Sequence, residues 1–304
     1  MKKSHKIFLL TLITFLFLNQ GIIFTQEKYD SWPQRVLLTN DDGIDNIGII
    51  ELARVFSKIA ETYVVAPNQD RSGSTHFMSV FKKGVLKIEP RDMGEGIKAY
   101  AVDGFPADCV LLALNGIMRD NPPDLVISGI NDKPNIAQDW LGSGTIGAAR
   151  IAAFVGCPAI AVSGLDDDIP GAVAAATKWV VQSAKSHVVR NLGVNQYLTI
   201  SIPRISPEEI KGIKITERAG MFRKPVFNKA TDKSAELGYE LWKLGIEKKE
   251  DVGPKENDAL LYEAGYIVIV PMQANEHDYK LLTQLKANLR AFPAWSYPEN
   301  DRKK

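Results

Sequence analysis

Short apolar segments that alternate with helical segments limit the folds open to this chain more than any other feature. The segments "RVLLTN", "TYVVAP", "DLVISG" and "AIAVSG" have the length and composition of strands that are buried on both faces. The segments between them carry apolar residues at helical spacing, as in "GIIELARVFSKIA". Because strands that alternate with helices form right-handed βαβ units, we predict an α/β fold with a doubly wound, mostly parallel, Rossmann-like sheet.

The last third of the chain has a different pattern. A long helix is predicted over "AVAAATKWVVQSAKSHVVRNL", and residues 204–265 then contain short strands, turns and many charges. We expect a β-rich extension or assembly arm at about 204–265, followed by a strand at "YIVIVP" and a closing helix near "DYKLLTQLKANL". One domain is therefore predicted over residues 35–304, arm included.

The N-terminus has the pattern of an export signal. A basic start, "MKKSHK", precedes the apolar run "IFLLTLITFLFL", which is short for a membrane span. We predict a signal peptide over residues 1–26, a linker over 27–34, and a periplasmic or extracellular protein. The alternative is a membrane anchor that is not cleaved, because "GIIF" extends the apolar run.

Composition excludes some partners and predicts reduced cysteines. The 304 residues carry a formal net charge of +1, so charge gives no argument for binding to a nucleic-acid duplex or a membrane surface. Cys109 and Cys157 both lie in apolar segments, where we expect buried free thiols rather than a disulfide.

Two adjacent carboxylates, Asp41 and Asp42, follow the first predicted strand in "LLTNDDGID". They repel each other and are costly to bury without a partner, although a simple turn before a helix would also use these residue types. The polar loops "NQDRSGS" and "GIND" follow two other strands. Because the carboxyl ends of parallel strands meet at one edge of the sheet, the three loops indicate a ligand site there.

Carboxylate oxygens are the ligands that Mg²⁺, Mn²⁺ and Ca²⁺ prefer. Ser72 and Asn131 lie in the neighbouring loops and offer neutral oxygens. The four histidines are scattered, so no zinc cluster is predicted, and His76 is not included in the catalytic set.

The segment "GSGT", residues 142–145, precedes a predicted helix. Backbone N–H groups of small residues at a helix N-terminus bind anions, although an ordinary helix cap has the same composition. The spacing is not that of a Walker motif. Because the segment is predicted to lie beside a metal site built from carboxylates, we expect it to bind a phosphate group.

Five ordered motifs, "VLLTNDDGID", "VVAPNQDRSGSTH", "AVDGFPADCVLLAL", "PDLVISGIN" and "SGT", resemble those of the SurE family of metal-dependent 5′/3′-nucleotidases. The resemblance is strong over about residues 35–165 and looser at "GYELWKLG" and "AGYIVIVPMQ". It implies hydrolysis of nucleoside 5′- or 3′-monophosphates, or other phosphate monoesters, and a homodimer or homotetramer built partly by the C-terminal arm.

The resemblance also implies roles for single residues. One divalent ion, Mg²⁺ or Mn²⁺ with Ca²⁺ as a substitute in crystals, is expected on Asp41, Asp42, Ser72 and Asn131, the two aspartates being catalytic. The expected phosphate contacts are Asn40, Ser143, Gly144 and Thr145.

The chain departs from the family pattern after "GIN". The loop reads "DKPNIAQDWL", and Gly142 occupies the place of an aromatic residue. We hypothesise that Lys133 and Asn135 contact the substrate and that preference shifts toward contacts with phosphate rather than base, because an aromatic surface is lost at position 142. Compensation by Trp140, two residues away, is the alternative to that loss. The alternative is that Lys133 is an ordinary loop lysine that points into solvent and does not contact the substrate.

Two other classes of protein share parts of this pattern. Phosphatases that form an aspartyl-phosphate usually separate their two aspartates by one residue and need a lysine that has no clear counterpart here. An exported protein that binds nucleotides without catalysis is the second alternative.

Overall fold

The computed structural model describes residues 32–230, 240–249 and 253–287. The strands of this part of the chain are β1 (Arg35–Thr39), β2 (Glu61–Pro67), β3 (Ile88–Arg91), β4 (Ile97–Val102), β5 (Leu125–Asn131), β6 (Ala159–Ser163), β7 (Gln196–Ser201), β8 (Ile213–Ile215), β9 (Arg223–Lys229), β10 (Trp242–Lys248) and β11 (Ile267–Gln273).

The helices connect these strands along the chain. They are α1 (Ile47–Phe56), α2 (Val80–Lys83), α3 (Pro106–Leu112), α4 (Gly144–Phe154), α5 (Ala172–Ala184), α6 (His187–Arg190), α7 (Asp258–Glu263) and α8 (Tyr279–Ala287). A π-helical turn, Ala113–Ile117, extends α3, and 3₁₀ turns occupy Ala137–Leu141 and Pro207–Glu209.

A nine-stranded sheet in the order β3-β4-β2-β1-β5-β6-β7-β11-β8 forms the centre of the described residues. The strand pairs are parallel except β3 with β4 and β7 with β11. The predicted α/β class with a mostly parallel, doubly wound sheet is confirmed. Because β1 lies between β2 and β5, the loops that follow these three strands share one edge of the sheet.

Each face of the sheet has its own apolar core. On one face Leu38 packs in a cluster with Phe56 of α1 and Val180 of α5. On the other face Leu37 packs in a cluster with Val110 of α3, and α4 lies on the same side. Successive strand residues point to opposite faces, so a strand of the central sheet has to be apolar throughout.

The prediction of one continuous helix over residues 172–192 is wrong. The structure contains two helices, α5 and α6, because Ser186 is extended and its hydroxyl caps α6 by accepting from the N–H of Val189 at 3.3 Å. Ser is a preferred N-cap residue, since its side chain accepts from a backbone N–H that the helix leaves unpaired. Strands β3 and β4 were not predicted from the sequence.

The two cysteines agree with the expectation of free thiols. Cys109 is buried in the α3 core, and Cys157 is half-buried with its thiol 3.5 Å from the carbonyl oxygen of Pro123. Burial raises the pKa of the Cys157 thiol to about 12, so this group stays protonated.

The segment predicted as an extension, about 204–265, contains an antiparallel hairpin of β9 and β10. The parts of the segment that flank the hairpin contact the main sheet: β8 pairs with β11, and Ala219, Phe222 and Ala259 form a third apolar cluster with Ile136 and Val268. The segment is therefore a projecting hairpin on a base that belongs to the main domain.

The predicted signal peptide, the start of the linker and the end of the closing helix lie outside the described residues. Among the residues that are described, no helix has the length and apolar character needed to cross a membrane.

Candidate active site

The loop after β1 places two carboxylates at the carboxyl edge of the sheet. The loop runs from residue 40 to Asn46, whose side chain caps α1 by accepting from the N–H of Gly48 at 2.7 Å. The N–H of Arg71 donates to the Asp41 carbonyl at 2.7 Å, and the N–H of Ile44 donates to that of Pro67 at 2.9 Å. The loops after β1 and β2 are therefore held together by their backbones.

Asp41 is buried and faces the N-terminus of α4. The Thr145 hydroxyl donates to one carboxylate oxygen at 2.5 Å. A Cβ atom on Gly144 would lie 2.8 Å from an Asp41 oxygen, so a residue without a side chain is needed there. Burial raises the pKa of Asp41, while hydrogen bonds from Thr145 and Gly144 partly oppose the rise. The Thr145 hydroxyl is thus engaged with Asp41, a contact the sequence analysis did not anticipate.

Asp42 also has unfavourable electrostatic surroundings. Burial, followed by the negative charges of Asp41, Asp132 and Asp70, raises its pKa to about 8. One of its carboxylate oxygens is buried without a hydrogen-bond partner among the described residues, as is the side-chain oxygen of Asn40. Unpaired buried acceptors beside like charges are stabilised by a cation.

The two carboxylates line a cavity of about 500 Å³ that is strongly acidic. Its walls carry five carboxylates and a single cation, Lys133, counting the described residues; the carboxylates are those of Asp41, Asp42, Asp70, Asp132 and Asp139. A hard divalent cation suits such a surface.

Ser72 and Asn131 lie on the wall of the same cavity. Ser72 is held in a turn in which its N–H donates to Asp70 at 2.7 Å. Asn131 ends β5, and its amide nitrogen donates to the carbonyl of Lys133 at 2.6 Å, which leaves its amide oxygen for other contacts. Within the described residues no cluster of three or more His, Cys, Asp or Glu side chains could hold a metal ion. A metal at Asp41 and Asp42 therefore has to complete its shell with neutral oxygens.

The predicted phosphate contacts differ in their access to the cavity. Ser143 lines it, and its hydroxyl oxygen also caps α4 by accepting from the N–H of Ile146 at 3.0 Å. Asn40 and Thr145 are fully buried next to it, and the amide nitrogen of Asn40 donates to the Gly43 carbonyl at 2.7 Å. The structure thus brings the predicted residues together, Ser143 at the surface of the cavity and Asn40, Gly144 and Thr145 behind it.

Lys133 and Asn135, the predicted substrate contacts, also line the cavity. Lys133 is exposed. Hydrogen bonds from Ser72 lower the pKa of Asp70, and the positive charge of Lys133 adds to the effect. The N–H of Asn135 donates to Ser163 at 3.0 Å, which ties the loop after β5 to the end of β6. His76, which the prediction left out, lines a neighbouring cavity instead.

A buried ion pair that the sequence analysis missed supports the loop after β5. Arg218 and Asp258 are 3.2 Å apart, with side chains that are 10% and 1% exposed. Arg218 donates to the carbonyl of Asn135 at 3.0 Å, and Asp258 accepts from the N–H of Ala137 at 3.0 Å. Asp258 also accepts from the N–H of Ala219 at 2.7 Å. The C-terminal part of the chain therefore fixes the backbone of the site loop.

The comparisons with known proteins agree with this architecture. A family model described as "Survival protein SurE" matches residues 36–223. The chain belongs to the SurE family. It is 32% identical to a protein named 5′-nucleotidase SurE from Vibrio campbellii, and the aligned region covers 90% of this chain and 99% of the relative. A protein of the same name from Heliobacterium modesticaldum is 35% identical over 83% of this chain and 90% of the relative.

A solved SurE structure has the same fold. The crystal structure of the SurE protein from Aquifex aeolicus superposes with a TM-score of 0.70 at 30% identity, covering 84% of this chain and 99% of that one. The SurE resemblance read from the five motifs is confirmed.

We predict that Asp258→Asn destabilises the protein by about 3–5 kcal/mol, because it leaves the Arg218 guanidinium buried without its counter-charge. Denaturant unfolding measures the change. Glu263→Gln is the control: Glu263 pairs with Lys248 at 2.8 Å, and the two side chains are 41% and 61% exposed, so a loss of about 0–1 kcal/mol is expected. Equal losses in the two variants would contradict a special role for the buried pair.

Proposed function

We propose that this protein is a metal-dependent phosphomonoesterase that hydrolyses nucleoside 5′- and 3′-monophosphates to nucleoside and phosphate. The observation that carries the proposal is the position of Asp41 and Asp42, adjacent carboxylates at the end of β1 that line an acidic cavity next to Ser143. Membership of a family whose relatives are named 5′-nucleotidases supports the choice of substrate.

The donor set suits one divalent ion, Mg²⁺ or Mn²⁺, held by Asp41 and Asp42 with Ser72 and Asn131 as neutral donors. When bound, such an ion supplies Lewis-acid polarisation of the phosphoryl group and an activated water. The unpaired oxygen of Asp42 and its raised pKa support a cation at this place.

The chain itself positions the phosphate. Ser143 donates its hydroxyl at the cavity wall, and the N-terminus of α4 at Gly144 and Thr145 favours negative charge nearby. Asn40 supports the loop beneath these contacts. Lys133 adds a point charge on the opposite loop, and Asn135 faces the same cavity.

The first test of the proposal is phosphate release from nucleoside monophosphates with added Mn²⁺ or Mg²⁺. Asp41→Asn keeps the shape of the side chain but removes a charged donor, so we expect the rate to fall well over tenfold, since metal-ion catalysis is worth several kcal/mol. Asp45→Asn is the matched control, because Asp45 is an exposed carboxylate in the same loop.

Full activity in excess chelator would refute metal dependence. Nucleotide binding without any phosphate release would instead favour the non-catalytic exported binder considered from the sequence.

We also propose that the hairpin of β9 and β10 joins copies of this chain into a homodimer or homotetramer. One face of the hairpin pairs Leu244 with Phe227 and also carries Trp242 and Ile246. These four side chains are 54–60% exposed. Apolar patches of this kind are uncommon on monomers and mark interaction surfaces.

Light scattering tests the proposed assembly. The unmodified protein should have at least twice the mass of one chain. Leu244→Glu places a charge on the apolar face and should shift the mass toward one chain, whereas Lys243→Glu, on the opposite face of the same strand, should not. A single-chain mass for the unmodified protein would contradict the proposal.

Export is proposed from the N-terminal sequence alone, with a mature chain that begins near residue 26. Intact-mass measurement on protein from its own host should show that residues 1–20 are absent. Their presence in a soluble cytoplasmic fraction would refute it, and their presence in a membrane fraction would favour the uncleaved anchor.

A further inference from the structure

A second cavity adjoins the acidic one and is not used by the proposed chemistry. Its volume is about 270 Å³, and its lining includes Thr75, His76, Trp140, Ser143, Arg150 and Glu276. Ser143 lines both cavities. Ser143 therefore marks the place where the two cavities adjoin.

The second cavity combines a flat apolar surface with a polar edge. The Arg150 guanidinium lies 6.0 Å from the centre of the Trp140 ring and forms an ion pair with Glu276. The Arg150 side chain is 15% exposed, whereas Glu276 is 65% exposed. Because the two charges oppose each other, the cavity does not require a charged ligand.

The backbone around the cavity is closely packed. The N–H of Thr75 donates to the carbonyl of Gly142 at 3.0 Å. A Cβ atom on Gly147 would lie 2.1 Å from the Thr75 carbonyl oxygen, so this loop rests directly on α4. The walls are thus formed by the fold, as is usual for small-molecule sites.

The distance along α4 matches an extended ligand. Ser143 caps the helix, and Arg150 follows seven residues later, about 10 Å along the axis at 1.5 Å per residue. A group that binds at Arg150 and Trp140 is thus separated from the phosphate by roughly the length of a sugar.

We infer that this second cavity receives the base of the nucleotide. Bases stack on aromatic rings and on guanidinium planes, and their edges carry both donors and acceptors. Trp140 and Arg150 supply the planar surfaces, while Arg150 and Glu276 supply a donor and an acceptor for the base edge. The inference rests on the proposed nucleotidase function and adds a specificity site to it.

The test compares substrates with and without a base. In Trp140→Ala, KM for AMP, GMP and UMP should rise about tenfold or more, since stacking on an aromatic residue strengthens base binding by that order. KM and kcat for ribose 5-phosphate, which has no base, should not change. Phe154→Ala is the control, because Phe154 lies on the same helix, is 62% exposed and does not line the cavity.

Equal effects of Trp140→Ala on nucleotides and on ribose 5-phosphate, or no effect on either, would overturn the inference. Should this variant fail to fold, Glu276→Gln replaces it, because an exposed carboxylate tolerates the change. It should raise KM for at least one of the nucleotides and leave that for ribose 5-phosphate unchanged; unchanged values throughout would overturn the inference.

Calorimetry separates this inference from the proposed function. A protein that hydrolyses neither substrate counts against the nucleotidase function, whereas titration with adenosine and guanosine needs no hydrolysis. Binding of these nucleosides that weakens in Trp140→Ala supports the base site, and absence of binding to the unmodified protein overturns it.

Discussion

The burial of two adjacent carboxylates, Asp41 and Asp42, is the constraint around which the carboxyl edge of the sheet is organised. Burial at the end of the strand, followed by the negative charge of the adjacent Asp41, raises the pKa of Asp42 to about 8. The neighbouring loops bring Asp70 and Asp132, which increase the repulsion further. Such an edge is stable only with compensating donors or a cation, and the fold places the N-terminus of α4 and Thr145 against Asp41.

The same constraint explains why small residues surround the site. Gly144 brings the helix backbone within contact of Asp41, and Gly147 brings it against the loop at Thr75. A Cβ atom at either position would meet an atom within 2.8 Å. The two cavities therefore depend on the same helix, since α4 presents Ser143 to the acidic cavity and Arg150 to the neighbouring one.

The central strands were predictable because they are buried on both faces and have to be apolar throughout, as Leu37 and Leu38 show by packing in opposite cores. Strand β3 was not predictable in this way, since all four of its residues are exposed and one is Pro90. The break before α6 depends on Ser186, a residue that also occurs inside helices.

Within the site, the loops were identifiable from sequence because parallel strands end at a common edge. Asp70 and Asp132 lie in those loops, but nothing in the sequence distinguished them from ordinary turn residues. The pair of Arg218 with Asp258 was beyond sequence reasoning: the two residues are separated by 40 positions, and Asp258 bonds to a residue 121 positions away. A pairing of this kind is visible only in three dimensions.

The long-range pair also sets the order in which the site can be completed during synthesis. Strands β1, β2, β5 and β6 and the helix α4 precede residue 164, so the two aspartates and the helix that faces them are made early. The carbonyl of Asn135 and the N–H of Ala137 receive these partners only when Arg218 and then Asp258 have left the ribosome. A nascent chain that ends before Asp258 therefore carries the carboxylates but lacks the support for the opposite wall, and the site is complete only in chains that extend beyond this residue.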